Sequence, residues 1–271
     1  MPEGDTIFLA AATLRRALVG GTVTRFESVF PKLTRVDADH PIAGRTIDAV
    51  TARGKHLLIA FSGDLTLRTH MRMNGVWHVY PSGARWRRPA RDMRIVIETA
   101  RAAAVAFSVP VAEFLTAREL ARHVQLRSLG PDLLADDFDA ADAARRMRAQ
   151  GEVAIADVLL SQHVVAGIGN VFKSEVLFLS RINPFTPMSA VSDTAIEDVL
   201  AIARRVMRAS VRIGTRTTRS SLDPGGRLWV YGRGGRPCRR CGTLIQTKKT
   251  GDAARITYWC PHCQPAAESL A

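Results

Sequence analysis

The chain has 271 residues, 46% of them apolar and 23% charged, the proportions of a folded protein with room for about two domains. No apolar run reaches the roughly 18–20 residues of a spanning helix, which excludes an integral helical membrane protein. Lys plus Arg number 38 against 25 Asp plus Glu, a formal net charge of +13, and only five of the 38 are Lys. So basic and Arg-rich a chain points to a polyanionic partner, nucleic acid first, against the plainer reading of an Arg-favouring genome.

MPEGDT has neither a basic n-region nor an apolar h-region, so no secretory signal is read and a cytoplasmic address is expected. Residues 5–19 set Ile7, Ala11, Leu14 and Leu18 at helical spacing, and Gly20-Gly21 stops the helix. From Thr22 to Pro110 the pattern turns to short alternating or β-branched runs, for example at 46–51, 55–61, 65–70, 75–80, 93–98 and 103–109. Ser62-Gly63-Asp64 suits a tight hairpin between two of them. Such spacing predicts an antiparallel sandwich or barrel. Thr116-x-x-Glu119 opens a short helix with a capping box. Gly130-Pro131 through Asp142, rich in Asp, reads as a linker feeding a helix at 140–149.

The second half reads as helical. Helices are expected over 152–162 and 170–180, separated by a glycine-rich turn in VVAGIGN (164–170) with Asn170 at the N-cap. Backbone N–H groups at such a start attract phosphate, although a plain packing turn is the better reading of this motif alone. A long helix from Ser192 to Arg212 carries the stripe Ile196, Val199, Ile202, Val206 and Val211, with Arg204, Arg205, Arg208 and Arg212 read as a solvated face. Residues 214–227 are expected to be mobile, and a small ribbon follows to Gln264.

The four cysteines of the chain are Cys238, Cys241, Cys260 and Cys263, in two C-x-x-C pairs with 18 residues between them. Two knuckles joined by a hairpin suit one structural Zn2+ with a closed thiolate shell, which leaves His262 as a bystander. A ribbon this short buries too little core to fold unaided, so the metal supplies folding free energy. It is basic: Arg233, Arg236, Arg239, Arg240, Lys248, Lys249 and Arg255 stand against Asp252.

At the other end, removal of Met1 before a proline leaves a secondary amine on Pro2 with a pKa near 8, a nucleophile for an anomeric carbon, with Glu3 beside it as a general acid. By composition alone this is an ordinary chain start.

MPEGDT, RGKHLL (53–58), THMRMNGVW (69–77), VVAGIGNVFKSEVLF (164–178) and CRRC…RITYWCPHCQ (238–264) stand in one order along the chain. The set resembles the formamidopyrimidine-DNA glycosylase/endonuclease VIII family, in particular its endonuclease VIII branch. The resemblance implies an α+β multidomain protein. Residues 1–131 would form an N-terminal catalytic β-sandwich with a leading helix, 132–227 a helix–two-turn–helix domain and 228–266 a four-cysteine zinc ribbon. It implies a bifunctional glycosylase and abasic-site lyase acting on damaged double-stranded DNA as a monomer near the nucleoid. Pro2 would be the nucleophile, Glu3 the acid/base, and Lys55 the third member of the catalytic set through its grip on a phosphate. His70, Asn170 and Arg255 would hold further phosphates, and Arg72, Met73 and Asn74 would fill the gap left by a flipped nucleotide. On sequence alone Met73 belongs in the core. Thr6 stands where the family commonly has Glu, and the short 214–227 connection favours oxidised pyrimidines over purines. The rival readings are a non-catalytic damage-binding protein of the same fold and an oxidised-purine glycosylase.

Overall fold

Helical spacing at the start of the chain gives α1 (Gly4–Leu18), whose Ile7, Ala11, Leu14 and Leu18 are buried in one stripe. The computed structural model describes residues 2–219, 226–251 and 254–266. The strands are β1 (Val23–Ser28), β2 (Ile47–Arg53), β3 (His56–Phe61), β4 (Leu65–His70), β5 (Val76–Pro81), β6 (Met93–Thr99), β7 (Ala102–Phe107) and β8 (Val111–Leu115). They form two antiparallel four-stranded sheets, in the orders β1-β6-β7-β5 and β2-β3-β4-β8. The expected sandwich is therefore what forms. Its core sets Val50, Leu57, Ile59 and Leu67 against Ile95, Ile97, Ala104 and Ala106, with the stripe of α1 packed into the same cluster. Each such side chain contributes about 1.5–3 kcal/mol relative to exposure. The hairpin at 62–64 turns with positive φ at Gly63 (78°) and Asp64 (57°), the hand that matches strand twist.

Three elements escape the sequence pattern. In β1, Arg25 and Glu27 interrupt the apolar alternation and pair with each other on the surface. Helix α2 (Pro31–Asp39) buries only Leu33, too little to show a stripe. Strand β8 has a single fully buried residue, Leu115. The capping box at Thr116 is present and starts α3 (Ala117–Arg122), followed by the single turn α4 (Val124–Arg127).

Two compact units divide between Arg127 and Ser128, and the helical segment and the ribbon share the second. Gly130 belongs with that second unit: its N–H donates to the Gln162 carbonyl at 2.9 Å, and a Cβ there would lie 2.3 Å from the Val164 oxygen. The acidic stretch is anchored rather than loose. Asp139 caps α5 (Ala140–Arg148), and Asp142 pairs with Arg145 and Arg146. Helix α6 (Ile155–Leu160) is shorter than expected, since residues 152–154 hydrogen-bond as turns and strand-like bridges instead.

Helix α7 (Asn170–Leu179) starts as predicted, but its N-cap is Gly169 and Asn170 is the first helical residue. Gly169 enters the helix in an ordinary extended conformation, and the Asn170 side chain is released for other work. Helix α8 (Asp193–Ile213) is capped by Ser192 and ends on left-handed Gly214. Its buried stripe runs through Ile196, Val199, Leu200, Ala203, Val206, Met207 and Ser210, so Ile202 and Val211 are only half-buried flanks. Arg204 is not simply solvated, because it reaches the Ala135 carbonyl and lies over the Phe138 ring. The ribbon hairpin is β9 (Gln246–Thr250) with β10 (Arg255–Trp259). Of the connection expected to be mobile, 220–225 lie outside the described residues, as does Asp252.

Candidate active site and metal centre

In the N-terminal unit, α1 begins directly after Glu3, which is fully buried together with Asp5. Pro2 remains half-exposed. Negative side chains at this end suit the helix dipole. The Asp5 carboxylate accepts from the Thr6 N–H at 2.7 Å and from the Thr6 hydroxyl at 3.1 Å. Thr6 therefore orients a buried carboxylate one residue earlier.

Lys55 lies in the two-residue turn between β2 and β3, not in a strand as the run 55–61 suggested. Gly54 takes φ 58° there, and Arg53 pairs with His56 across the turn. His56 in turn stands opposite His70 at the end of β4, the two rings 4.9 Å apart and edge-on. The Nδ1 of His70 accepts from the Arg72 N–H at 3.1 Å. Burial, then Arg72, Arg68 and Lys55, hold His70 down at about 4. The ring is thus neutral near pH 7 with its proton on Nε2, a tautomer that offers one N–H to an anion. Arg72 and Lys55 thus both lie close to His70.

Behind them is a cluster the sequence did not show. Arg68, almost fully buried, donates to His56 Nδ1 at 3.2 Å and pairs with Glu113 and Gln125. Burial and Arg68 lower His56 to about 3.

The turn 71–75 follows β4. Gly75 donates to the Met71 carbonyl at 2.9 Å, and a Cβ on Gly75 would lie 2.6 Å from that oxygen. This close approach fixes the loop and presents Arg72, Met73 and Asn74 to solvent. Met73 is 48% exposed, so composition misplaces it in the core; Met71 is the residue buried there.

In the C-terminal unit the Asn170 amide donates to the Ile256 carbonyl at 2.9 Å, which sets it beside Arg255 at the start of β10. Sequence reasoning missed two buried charges on the same helix. Lys173 donates to the Thr257 hydroxyl at 2.7 Å. Glu175 accepts from the backbone N–H groups of Trp229, Val230 and Tyr231, each at 2.8 Å, and from Thr218. Burial pushes the Glu175 pKa up while these four hydrogen bonds pull it down. The only signal was the apolar flanking on every side in VFKSEVLF. The ribbon cations are not all available to a ligand. Arg233 bonds the Trp229 and Pro237 carbonyls, Arg240 covers Phe178, and Lys248 covers Phe185.

The sulfur atoms of Cys238, Cys241, Cys260 and Cys263 all lie within 4.8 Å of one another, with Cys241 3.5 Å from both Cys260 and Cys263. Tetrahedral bonds of about 2.3 Å place thiolates roughly 3.8 Å apart, so the set fits one zinc ion. A full thiolate shell leaves no open position, and the site is structural.

The whole chain has close relatives. It is 40% identical over 97% of its length to a probable endonuclease 8 2 of Streptomyces coelicolor, covering 94% of that protein. It is equally similar to the DNA-(apurinic or apyrimidinic site) lyase Nei2 of Mycolicibacterium smegmatis, covering 98% of this chain and 100% of the relative. The chain belongs to the formamidopyrimidine-DNA glycosylase/endonuclease 8 family. Family models match in the same order: the formamidopyrimidine-DNA glycosylase N-terminal domain at residues 1–110, its H2TH domain at 129–221, and the zinc finger found in FPG and IleRS at 235–266. Among solved structures, Lactococcus lactis Fpg in complex with DNA containing N7-benzyl-Fapy-dG aligns with a TM-score of 0.82 and 25% identity, over 97% of this chain and 100% of that one. The same enzyme with DNA containing an abasic site aligns equally well. The helix–two-turn–helix segment and the zinc finger of this family member are therefore the helices and ribbon described above.

Proposed function

We propose that this chain is a DNA glycosylase and abasic-site lyase of bacterial base excision repair, with Pro2 as its nucleophile. The observation that carries the reading is the start of α1, where Pro2 stays within reach of solvent while the next residue, Glu3, is fully buried. Full-length relatives named as endonuclease 8 and as an abasic-site lyase support it.

With Met1 removed, the Pro2 nitrogen attacks C1′ of a flipped nucleotide. The glycosidic bond breaks, its electron pair leaves with the base, and the base takes up a proton. Glu3 protonates the ring oxygen as the sugar opens to an iminium. Loss of the C2′ proton then expels the 3′ phosphate, and a second elimination expels the 5′ phosphate. Unstacking the nucleotide costs a few kcal/mol. Met73 offsets this as a wedge between bases, with Arg72 and Asn74 beside it. Lys55, His70, Asn170 and Arg255 offset it as phosphate contacts. Oxidised pyrimidines are the favoured lesions, the zinc ion takes no part in the chemistry, and the protein acts as a cytoplasmic monomer.

Borohydride reduction during incubation with abasic duplex tests the reading. A covalent protein–DNA adduct is expected, and a variant with one residue retained ahead of Pro2 is expected to leave none while still binding the duplex. Binding without an adduct in the parent protein would make it a damage-binding protein instead. Release assays on thymine-glycol and oxidised-guanine duplexes decide between pyrimidine and purine lesions.

A further inference from the structure

The connection between β5 and β6, residues 82–92, does not follow the sheet edge. Strand β7 pairs with β5 on one side and β6 on the other. Pro81 stands opposite Ala102 at one end, while Val76 and Met93 both stand opposite Phe107 at the other. The connection therefore starts at one end of the sheet and finishes at the end that carries the 71–75 turn. Along the way it covers the outer face, where Tyr80, Val96, Val105 and Phe107 form a small second core with Ala84 and Trp86.

The strap is fastened along its length. The Trp86 ring meets Phe107 edge-on at 5.8 Å. The Arg87 N–H donates to the Tyr80 hydroxyl at 3.2 Å. The Ser108 N–H donates to the Asp92 carbonyl at 2.7 Å. The Arg94 guanidinium closes the far end on the carbonyls of Arg91 and Met93. A loop anchored in this way holds its side chains ready, which lowers the ordering cost of binding.

Its sequence is SGARWRRPARD, with four Arg and one acid. Arg85 and Arg87 are exposed and Arg88 is half-buried. Several arginines elsewhere find carboxylates: Arg25 with Glu98, Arg145 and Arg146 with Asp142, Arg148 with Asp193. Among the described residues, Arg85, Arg87 and Arg88 form no ion pair. Arg85, Arg87 and Arg88 line one open hollow on the strap with Trp86, and Arg88 and Arg87 lie close enough to His78 on β5 to add to the burial that lowers its pKa. Three guanidinium groups set together on an anchored strap, with no internal counter-ion, make a surface for an external polyanion with regularly spaced charges.

We propose that Arg85, Arg87 and Arg88 form a second phosphate-binding surface, which grips the DNA backbone away from the reacting nucleotide. The proposal rests on the reading of the protein as a DNA enzyme, but it concerns sequence-independent binding and requires no chemistry at Pro2.

The test is the salt dependence of binding to an undamaged duplex, so the outcome is independent of base excision. Each phosphate contact contributes about 0.9 to the slope of log affinity against log salt. The triple variant Arg85→Gln/Arg87→Gln/Arg88→Gln is expected to reduce that slope by about 2–3, and the corresponding triple Lys variant to retain it. A control removing equal charge, Arg16→Gln/Arg35→Gln/Arg118→Gln, is expected to change it by less than about 1. Thermal unfolding of each variant identifies any that fail to fold, and the Lys variant then stands as the folded comparison. An unchanged slope in the Gln triple overturns the proposal, as does an equal loss in the control or an equal loss in the Lys triple.

Discussion

The side-chain amide of Asn170 donates to the main-chain carbonyl of Ile256, tying the first turn of α7 to the strand that begins with Arg255. The helix and the ribbon hairpin thus present their phosphate-binding candidates as one surface. Asn170→Asp replaces the donor with an acceptor facing a carbonyl. It is expected to cost about 1–3 kcal/mol in urea unfolding and to weaken binding to abasic duplex at least tenfold by fluorescence anisotropy. Parental affinity in this variant would remove Asn170 from the interface.

Met73 is 48% exposed on its turn, so Met73→Ala is expected to change stability by no more than about 0.5 kcal/mol. Excision from a lesion duplex in single-turnover assays is expected to fall about tenfold or more, while cleavage of a preformed abasic site falls less. The difference arises because an abasic nucleotide has less stacking to lose. Equal losses on both substrates would argue against a wedge.

Acid should destabilise the protein through two histidines. His56 and His70 are held at about 3 and about 4, whereas in the unfolded chain both take up protons near the ordinary 6.5. Between pH 6.5 and about 4 the unfolded state binds more protons, so stability falls as pH falls, and this contribution is complete above pH 7. The urea midpoint should drop across that window. The drop should be smaller for His56→Gln/His70→Gln, and an identical pH profile in the two proteins would refute the assignment.

Chelation should release one zinc per chain and make four thiols titratable. Because the thiolate shell carries the folding of the ribbon, β9 and β10 are expected to lose amide protection while the strands of the N-terminal unit keep theirs. Affinity for duplex should fall, and re-addition of zinc should restore it. Undiminished affinity after chelation would exclude the ribbon from DNA binding.

The sequence by itself determined whatever depends on local period and spacing: the stripe of α1, the alternation of most strands, the cap at Thr116 and the two cysteine knuckles. Each is a relation among residues a few positions apart. It could not place Met73, since an apolar side chain on a turn differs from a core residue only in what surrounds it. It gave no sign of β1, α2 or β8, whose apolar faces are too narrow to show a period. Nor did it show the charges that tertiary structure alone made tolerable. Apart from their apolar flanks, nothing in VFKSEVLF marks Lys173 and Glu175 as buried. Yet Glu175 is fully buried because three backbone N–H groups more than fifty residues away converge on it. A buried charge is set by the partners that fold around it, and those partners are fixed only when distant segments pack.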